Sequence, residues 1–287
     1  MKKLIVNKKY NNKRLNIFLI ENIPNLSNNL LYKTLRKKDI KVNGKRTSEN
    51  ISVFEGDEIL VYIPDYLLEF QLNKVYEDEN ILLLNKPFNL EVLGKTSLTS
   101  YVYKKYEHSD FKPMPCHRLD RNTCGLILYA KNETSLNILL NKFKNHEIEK
   151  HYLTLVYGIP KENYKRCEAF LFKDQKKSIV YISDFPKKGY QKIITTYTVL
   201  RNRNDNTSLL DVQIETGKTH QIRAHLAHLG FPIIGDGKYG INSINKKFGK
   251  KYQMLFSYNI KFNFKTDSGI LNYLNGKNFY LEQKLYN

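Results

Sequence analysis

The sequence predicts an α+β fold in two parts, and three observations carry that expectation. A short amino-terminal stretch reads as helices followed by an Asn43-Gly44 hairpin. Farther on, strand-like segments at 150–158, 195–200 and 209–215 follow one another, with a helix before the first and another after the last. The order is mixed, without the regular βαβ alternation of a doubly wound sheet. We expect a small module over residues 1–65, a linker over 66–74 and a large domain over 75–287.

Charge narrows the partner. The chain carries 47 basic and 28 acidic side chains, a formal net charge of +19. Such an excess draws a protein to a polyanion, either nucleic acid or an anionic membrane face. No run approaches the roughly 18 apolar residues of a membrane span, and Leu4-Ile5-Val6 is too short for a signal-peptide core. Cys116, Cys124 and Cys167 form no CxxC pair, so neither a zinc site nor a disulfide scaffold is supported. We therefore expect a cytoplasmic protein, a monomer, that meets nucleic acid and not membrane.

In the first 65 residues, Leu15, Phe18 and Leu19 have helical spacing. Ser27 is a helix N-cap flanked by Leu26 and Leu31 as a hydrophobic staple. The helix it opens buries Leu31 and Leu35 and turns Lys33, Arg36 and Lys37 outward. Ile40-Lys41-Val42, the Asn43-Gly44 turn and Lys45-Arg46 make a hairpin, and Glu58 to Ile63 alternates like a strand after the Gly56-Asp57 turn. From Lys33 to Arg46 there are seven basic residues against one acid, a stretch suited either to solvent or to a phosphate backbone.

The large domain opens with Val75-Tyr76, a turn, and the buried strand Ile81 to Leu84, which stops at Lys86-Pro87 because proline cannot donate to a ladder. Next comes His117-Arg118-Leu119-Asp120-Arg121-Asn122-Thr123-Cys124-Gly125, feeding the apolar strand Leu126 to Ala130. Here one carboxylate lies between two arginines at a strand edge, and a nearby cation favours its charged form. Asn132 caps a helix whose apolar face is Leu136, Leu139, Leu140 and Phe143, with Lys142 and Lys144 off that face. Residues 161–192 are polar and read as excursions from the core. Thr216 to Arg223 joins a strand to a helix that ends at Gly230, and brings His220 and Arg223 to an anion-facing corner.

Other motif matches fail on context. Gly235-Asp236-Gly237-Lys238-Tyr239-Gly240 spells GxGxxG, but polar residues follow instead of an amphipathic helix. Gly217-Lys218-Thr219 lacks the earlier glycine of a phosphate loop, since Val212 stands there. His146-Glu147 with His151 has one residue too many for the zinc-protease helix. His220, His225 and His228 gain no carboxylate or cysteine to complete a metal set. Neither a metal nor a nucleotide cofactor is expected.

Two resemblances give the pattern a direction. Residues Arg14 to Leu19, Leu31 to Lys37, Ile40 to Lys45 and Gly56 to Ile59 together resemble an S4 domain, a family that binds structured RNA through its basic helix and the following turn. Asn16 departs from the more usual Asp. In the large domain, His117-Arg118-Leu119-Asp120 with Thr123, Gly125, Ala130 and Lys131 resembles the catalytic-aspartate motif of pseudouridine synthases of the large-subunit ribosomal RNA (RluA-like) type. Lys150 and Tyr152 with Val156 and Gly158 are similar to that family's tyrosine motif, and Thr216-Gly217 through Arg223 with Pro232, Gly235-Asp236 and Tyr239-Gly240 to its third motif. Cys124, Lys218 and Phe88-Asn89 depart from the usual residues without touching the carboxylate.

The resemblance implies a mixed, largely antiparallel central sheet and an isomerase needing no cofactor. Converting uridine to pseudouridine breaks the N1–C1′ bond, rotates the uracil and rejoins it through C5, with no redox change. By the same resemblance Asp120 is the nucleophile or base. Arg223 is its ion-pair partner, Tyr152 stacks on the base and helps move a proton, and Leu255 forms an apolar wall. Lys150, His117 and His220 join them as substrate contacts. Arg118 fills the vacancy left by an extruded base or holds a phosphate. Lys33, Arg36, Lys37 and Lys45 contact RNA from the small module, with ribosomal RNA as the expected partner. A non-catalytic RNA-binding factor and a synthase acting on transfer RNA are the alternatives.

Overall fold

The chain divides into two units, Met1–Gln71 and Leu72–Asn287. The structure, a computed structural model, describes residues 1–23, 25–64 and 70–282. Residues 66–69 of the expected linker lie outside the described residues.

In the first unit, β1 (Lys2–Ile5), β2 (Lys13–Arg14), α1 (Leu15–Asn22), α2 (Asn28–Arg36), β3 (Ile40–Val42), β4 (Lys45–Thr47), β5 (Ser52–Val53) and β6 (Glu58–Val61) follow in order. Ser27 caps α2 by accepting the Leu30 N–H, and Asn43 and Gly44 both have positive φ, as the turn between β3 and β4 requires. The sheet order is β1-β6-β3-β4, with β2 paired separately to β5. Phe18, Leu19, Leu31, Leu35, Ile40, Ile59 and Val61 form one buried cluster. The β1 strand was not anticipated: only alternate residues of Lys2–Ile5 are shielded, so the segment has no apolar face to announce it.

The second unit contains β7 (Lys74–Glu77), β8 (Ile81–Lys86), α3 (Leu98–Lys105), β9 (Met114–Pro115), β10 (Cys124–Ala130), α4 (Glu133–Lys144) and β11 (Ile148–Tyr157). It continues with β12 (Tyr164–Asp174), β13 (Ile179–Ser183), β14 (Gln191–Asn202), β15 (Thr207–Ile214), α5 (Gln221–His228), α6 (Asn242–Lys247), β16 (Leu255–Phe262) and β17 (Asn278–Tyr280). The sheet runs β13-β12-β14-β15-β11-β16-β10-β8-β7, with β17 on β16 and β9 on β10. Among the described residues β10–β16 is the one parallel pair of strands, which gives the mixed, largely antiparallel sheet the sequence suggests.

Every residue of β10 is buried because both faces are covered. Leu126, Leu128 and Ala130 pack with Leu139 of α4, while the Tyr129 hydroxyl lies 3.0 Å from Thr99 of α3. Gly125 at the head of β10 has φ +111°, and a Cβ there would stand 2.1 Å from the Ser257 carbonyl oxygen. Glycine alone lets β10 approach β16 so closely at this point. The aspartate loop therefore feeds the strand that lies between β16 and β8.

Three expectations need correction. Residues 161–192 are not excursions: β12 and β13 extend the sheet, and Ala169, Leu171, Val180 and Ile193 are buried with Ala224 of α5. Lys142 is not off the buried face of α4. Only 2% of its side chain is exposed, and its ammonium is met by Glu147 at 2.7 Å and by the Thr266 carbonyl and hydroxyl. Leu140, placed on that face by spacing, is 46% exposed instead.

Candidate active site

Four segments of the second unit converge on one cleft of about 410 Å³. The loop before β10 supplies Asp120, β11 supplies Lys150 and Tyr152, the start of β16 supplies Leu255, and the β15–α5 junction supplies His220 and Arg223. His117 and Arg118 also line it. Of the site residues expected from sequence, those in the large domain are thus brought together. Lys33, Arg36, Lys37 and Lys45 lie exposed on the first unit.

The two strands next to β16 set the spacing. Tyr152 pairs across with Ser257, and Gly125 with Ser257 on the other side, so Tyr152 and the aspartate loop flank the same rung of β16. The loop is itself tied down. Thr123 N–H donates to the Asp120 carbonyl at 3.0 Å, and the Thr123 hydroxyl accepts from buried Gln253 at 2.8 Å. The Lys86 ammonium, fully buried, donates to the carbonyls of Pro87, Leu90 and Arg121 at 2.9, 2.6 and 3.1 Å. Those bonds explain Lys86-Pro87: the lysine fastens one loop to the residue after Asp120.

The carboxylate end is a chain of charges. Asp120 Oδ2 lies 2.9 Å from an Arg223 terminal nitrogen. The same guanidinium is gripped from behind by Asp236, through Nε at 2.6 Å and the other terminal nitrogen at 2.9 Å. Asp236 is fully buried and accepts further bonds from the N–H groups of Lys238 and Tyr239. A planar guanidinium held at two nitrogens along one edge has little rotational freedom, so its remaining terminal nitrogen presents a fixed cation to Asp120. Helix α5 is anchored to match: the Gln221 amide donates to the Ile194 carbonyl and Thr195 hydroxyl and accepts from Thr216 and Lys218.

His220 caps α5 in the left-handed region at φ +54°, a conformation uncommon outside glycine. Its Nδ1 lies 2.9 Å from the Tyr239 hydroxyl, and Nε2 is 4.0 Å from Asp120 Oδ2. Burial pushes His220 down to about 4, with Asp120 opposing that only in part. At neutral pH it is a neutral ring beside the carboxylate, and Arg223 is the cation. Tyr152 is 5% exposed; burial first, and the Asp120 charge second, raise its hydroxyl well above the ordinary phenol value. It is a phenol, able to donate.

His117 and Lys150 occupy the other side. His117 Nε2 accepts the Leu128 N–H at 3.1 Å, and burial pushes the ring down to about 3. It is therefore neutral and committed to β10, which makes it a poor phosphate contact. Lys150 is 9% exposed; its ammonium sits 4.8 Å from the Phe143 ring centre and 3.8 Å from where a Gly217 Cβ would be. Burial alone pushes it down to about 8. Arg118 is exposed, while Arg121 donates to Asn89 at 3.0 Å.

A second cleft of about 640 Å³ meets the first at Arg118, Asp120 and His220, and is rimmed by Arg121, Lys173, Lys238 and Lys251. Sequence reasoning missed Gln253, Phe143 and the grip of Asp236 on Arg223. Asp236 had a signal, its place in the third motif; Phe143 was read as helix core, and Gln253 had none.

A carboxylate aimed into a cleft by a doubly held arginine is the arrangement of an enzyme that uses an ionised acid as nucleophile or base. Residues 80–228 match the RNA pseudouridylate synthase family, and the chain belongs to it. It is 34% identical over 271 residues to "Ribosomal large subunit pseudouridine synthase C" of Rickettsia bellii, covering 86% of this chain and 88% of that one. It is 31% identical over 300 residues to an "Uncharacterized RNA pseudouridine synthase" of Mycoplasma capricolum, covering 96% of each. Among solved structures, human RNA pseudouridylate synthase domain containing 4 shares the fold, with a TM-score of 0.61 at 20% identity over 75% of this chain and 89% of that one. Human RNA pseudouridylate synthase domain containing 1 does likewise, with a TM-score of 0.58 at 22% identity over 75% and 91%.

Proposed function

We propose that this chain converts uridine to pseudouridine at defined positions of large-subunit ribosomal RNA, with Asp120 as the reacting carboxylate. The observation that carries the reading is the Asp120–Arg223–Asp236 chain, which holds one carboxylate in a fixed direction at the junction of two clefts. The smaller cleft, half apolar through Leu255, Ile222 and Phe143, suits an extruded uracil. Tyr152 offers the base a ring face and a hydroxyl. The larger cleft, rimmed by cations, suits the strand that the base leaves, with Arg118 standing at the boundary to hold a phosphate or fill the vacated place. Asp120 acts either on C1′, on C6 or on a sugar proton. Each route returns the same atoms to the product, so no metal or nucleotide cofactor is required.

Two things favour ribosomal RNA. The relatives at 30–34% identity include synthases named for the large ribosomal subunit. Lys33, Arg36, Lys37 and Lys45 stand exposed on the S4-like first unit, in keeping with a structured RNA target. In this reading the enzyme works as a monomer in the cytoplasm. The test is to incubate the protein with transcripts of large-subunit ribosomal RNA and of transfer RNA and map pseudouridine, with Asp120→Ala as control. Modification of discrete ribosomal uridines by the wild type alone supports the proposal. Product only in transfer RNA would move the substrate, and binding without product would leave an RNA-binding factor.

A further inference from the structure

We propose that Lys150 is a catalytic residue: its ammonium, at the end of the cleft away from Asp120, takes up the negative charge that develops on the uracil carbonyl oxygens during turnover. The inference rests on the reading that uridine is the substrate. It starts from a solitary charge. Lys150 is more than nine-tenths buried and lines the cleft, yet among the described residues nothing accepts its hydrogens. Its electrostatic neighbours are the Phe143 ring and the His117 imidazole, which its charge helps to keep neutral and which gives it no compensating charge. Burial is the single influence on its acidity, so no carboxylate stands near enough to matter.

That isolation is not the rule in this fold. Lys142, eight residues earlier and also buried, has Glu147 at 2.7 Å, and Lys86 has three carbonyls. A desolvated cation without a partner is costly, and such a group persists where a ligand supplies the missing charge. The position fits the ring. Lys150 and Tyr152 are the alternate, buried residues of β11, which puts them about 7 Å apart along the strand. With Tyr152 close enough to Asp120 to sense its charge, Lys150 lies one step farther from the sugar. The ring's carbonyl edge would occupy that place.

The chemistry supplies the charge. When the N1–C1′ bond breaks, its electron pair goes to the uracil. The vacated sugar position is taken by an Asp120 oxygen, or a C2′ proton passes to Asp120 to leave a double bond. If Asp120 adds to C6 first, the ring already holds an extra pair before cleavage. On every route that pair spreads over the carbonyl oxygens. C5 then bonds to C1′, Asp120 is released or returns its proton, C5 loses its proton and N1 gains one. The account balances without a co-reactant, and a fixed cation at the carbonyl edge is stronger in the charged intermediate than in the substrate.

The test compares wild type with Lys150→Met, Lys150→Gln and Lys150→Arg on a transcript that the wild type modifies. Three quantities are read: the single-turnover rate at saturating RNA, RNA affinity at two salt concentrations, and thermal unfolding. We expect the neutral variants to slow turnover by about 100-fold or more. Affinity should stay within about two-fold, its salt slope unchanged. Lys150→Arg should recover most of the rate, and neither neutral variant should melt earlier than wild type, since each removes an unpaired buried charge. Wild-type turnover in the neutral variants would overturn the proposal. So would a loss of affinity and of salt slope at an unchanged saturating rate, which would put the ammonium on a backbone phosphate. If both neutral variants failed to fold, the buried charge would be structural and the proposal would fall. A wild type inactive on every transcript would instead refute the proposed function.

Discussion

Two buried cations face the same cleft and are held in opposite ways. Arg223 is gripped by Asp236 at two points and offers its remaining terminal nitrogen to Asp120. Lys150 lies against the face of Phe143 and, among the described residues, has no hydrogen-bond or ion-pair partner. The difference separates two uses of charge. A cation saturated by the protein fixes geometry, because every partner restricts its orientation. A cation left unsaturated keeps its field for something that arrives. One end of the cleft is therefore built before substrate binds, and the other is completed by it.

Removing Asp236 is the most severe way to break this contrast. Asp236→Ala would leave Arg223 buried with half its partners, at a cost of about 3–5 kcal/mol in stability. It would also free the guanidinium to rotate, so the single-turnover rate should fall by about 100-fold or more. Denaturant unfolding and a rate measured on the folded fraction check both parts. If the rate held at wild type, Arg223 would need no fixing and the paired end would be mere scaffold.

A smaller effect is expected at Lys142, the paired counterpart of Lys150. Lys142→Ala leaves Glu147 without its ammonium, although the Lys265 N–H remains bonded to it at 2.8 Å. The melting temperature should drop by several degrees while turnover of the folded protein is unchanged. Lys150→Met should show the reverse pattern. Were both lysines to affect stability alike, the distinction between saturated and unsaturated charge would fail.

How much of this was legible in the sequence depends on the range of the interaction. Ser27 and Asn132 were readable as caps because each accepts an N–H three residues on. The aspartate loop was readable because the carboxylate, the glycine and the buried strand are consecutive. Lys142 was not, since Thr266, which completes its site, lies 124 residues away. Strand β12 was hidden for another reason. Its buried residues, Cys167, Ala169 and Leu171, are few and mostly small, while Arg166 and Glu168 pair with each other on the opposite face. Charge drowned the alternation. Helix α3 did carry a signal, the Ser97–Ser100 capping box, beneath a Thr- and Tyr-rich stretch that favours strands.

The histidines provide the mildest test, and they also set the two units apart. All seven lie beyond residue 71. Burial pushes His117 down to about 3 and His220 and His225 to about 4 from an ordinary 6.5. The unfolded chain binds protons that these three refuse, so stability should fall as pH drops from about 6.5 through about 4. Above 6.5 they contribute nothing. His151, raised by its bond to Asp211, acts in the opposite sense and offsets part of the loss. Thermal unfolding followed across that range should show the second unit melting earlier with acid while the first, without histidine, holds its midpoint. A flat profile for the second unit would mean that the three rings are open to protons.

The central claim is that Asp120 is a carboxylate held in place to react. Asp120→Asn keeps its size and one oxygen but removes the negative charge. The direct measurement is single-turnover pseudouridine formation by this variant at saturating RNA, with RNA affinity measured on the same preparation. The account predicts affinity close to wild type and no product. Product formed at a rate within about ten-fold of wild type would contradict it, because an amide has neither the nucleophilicity nor the basicity that the site is built to direct.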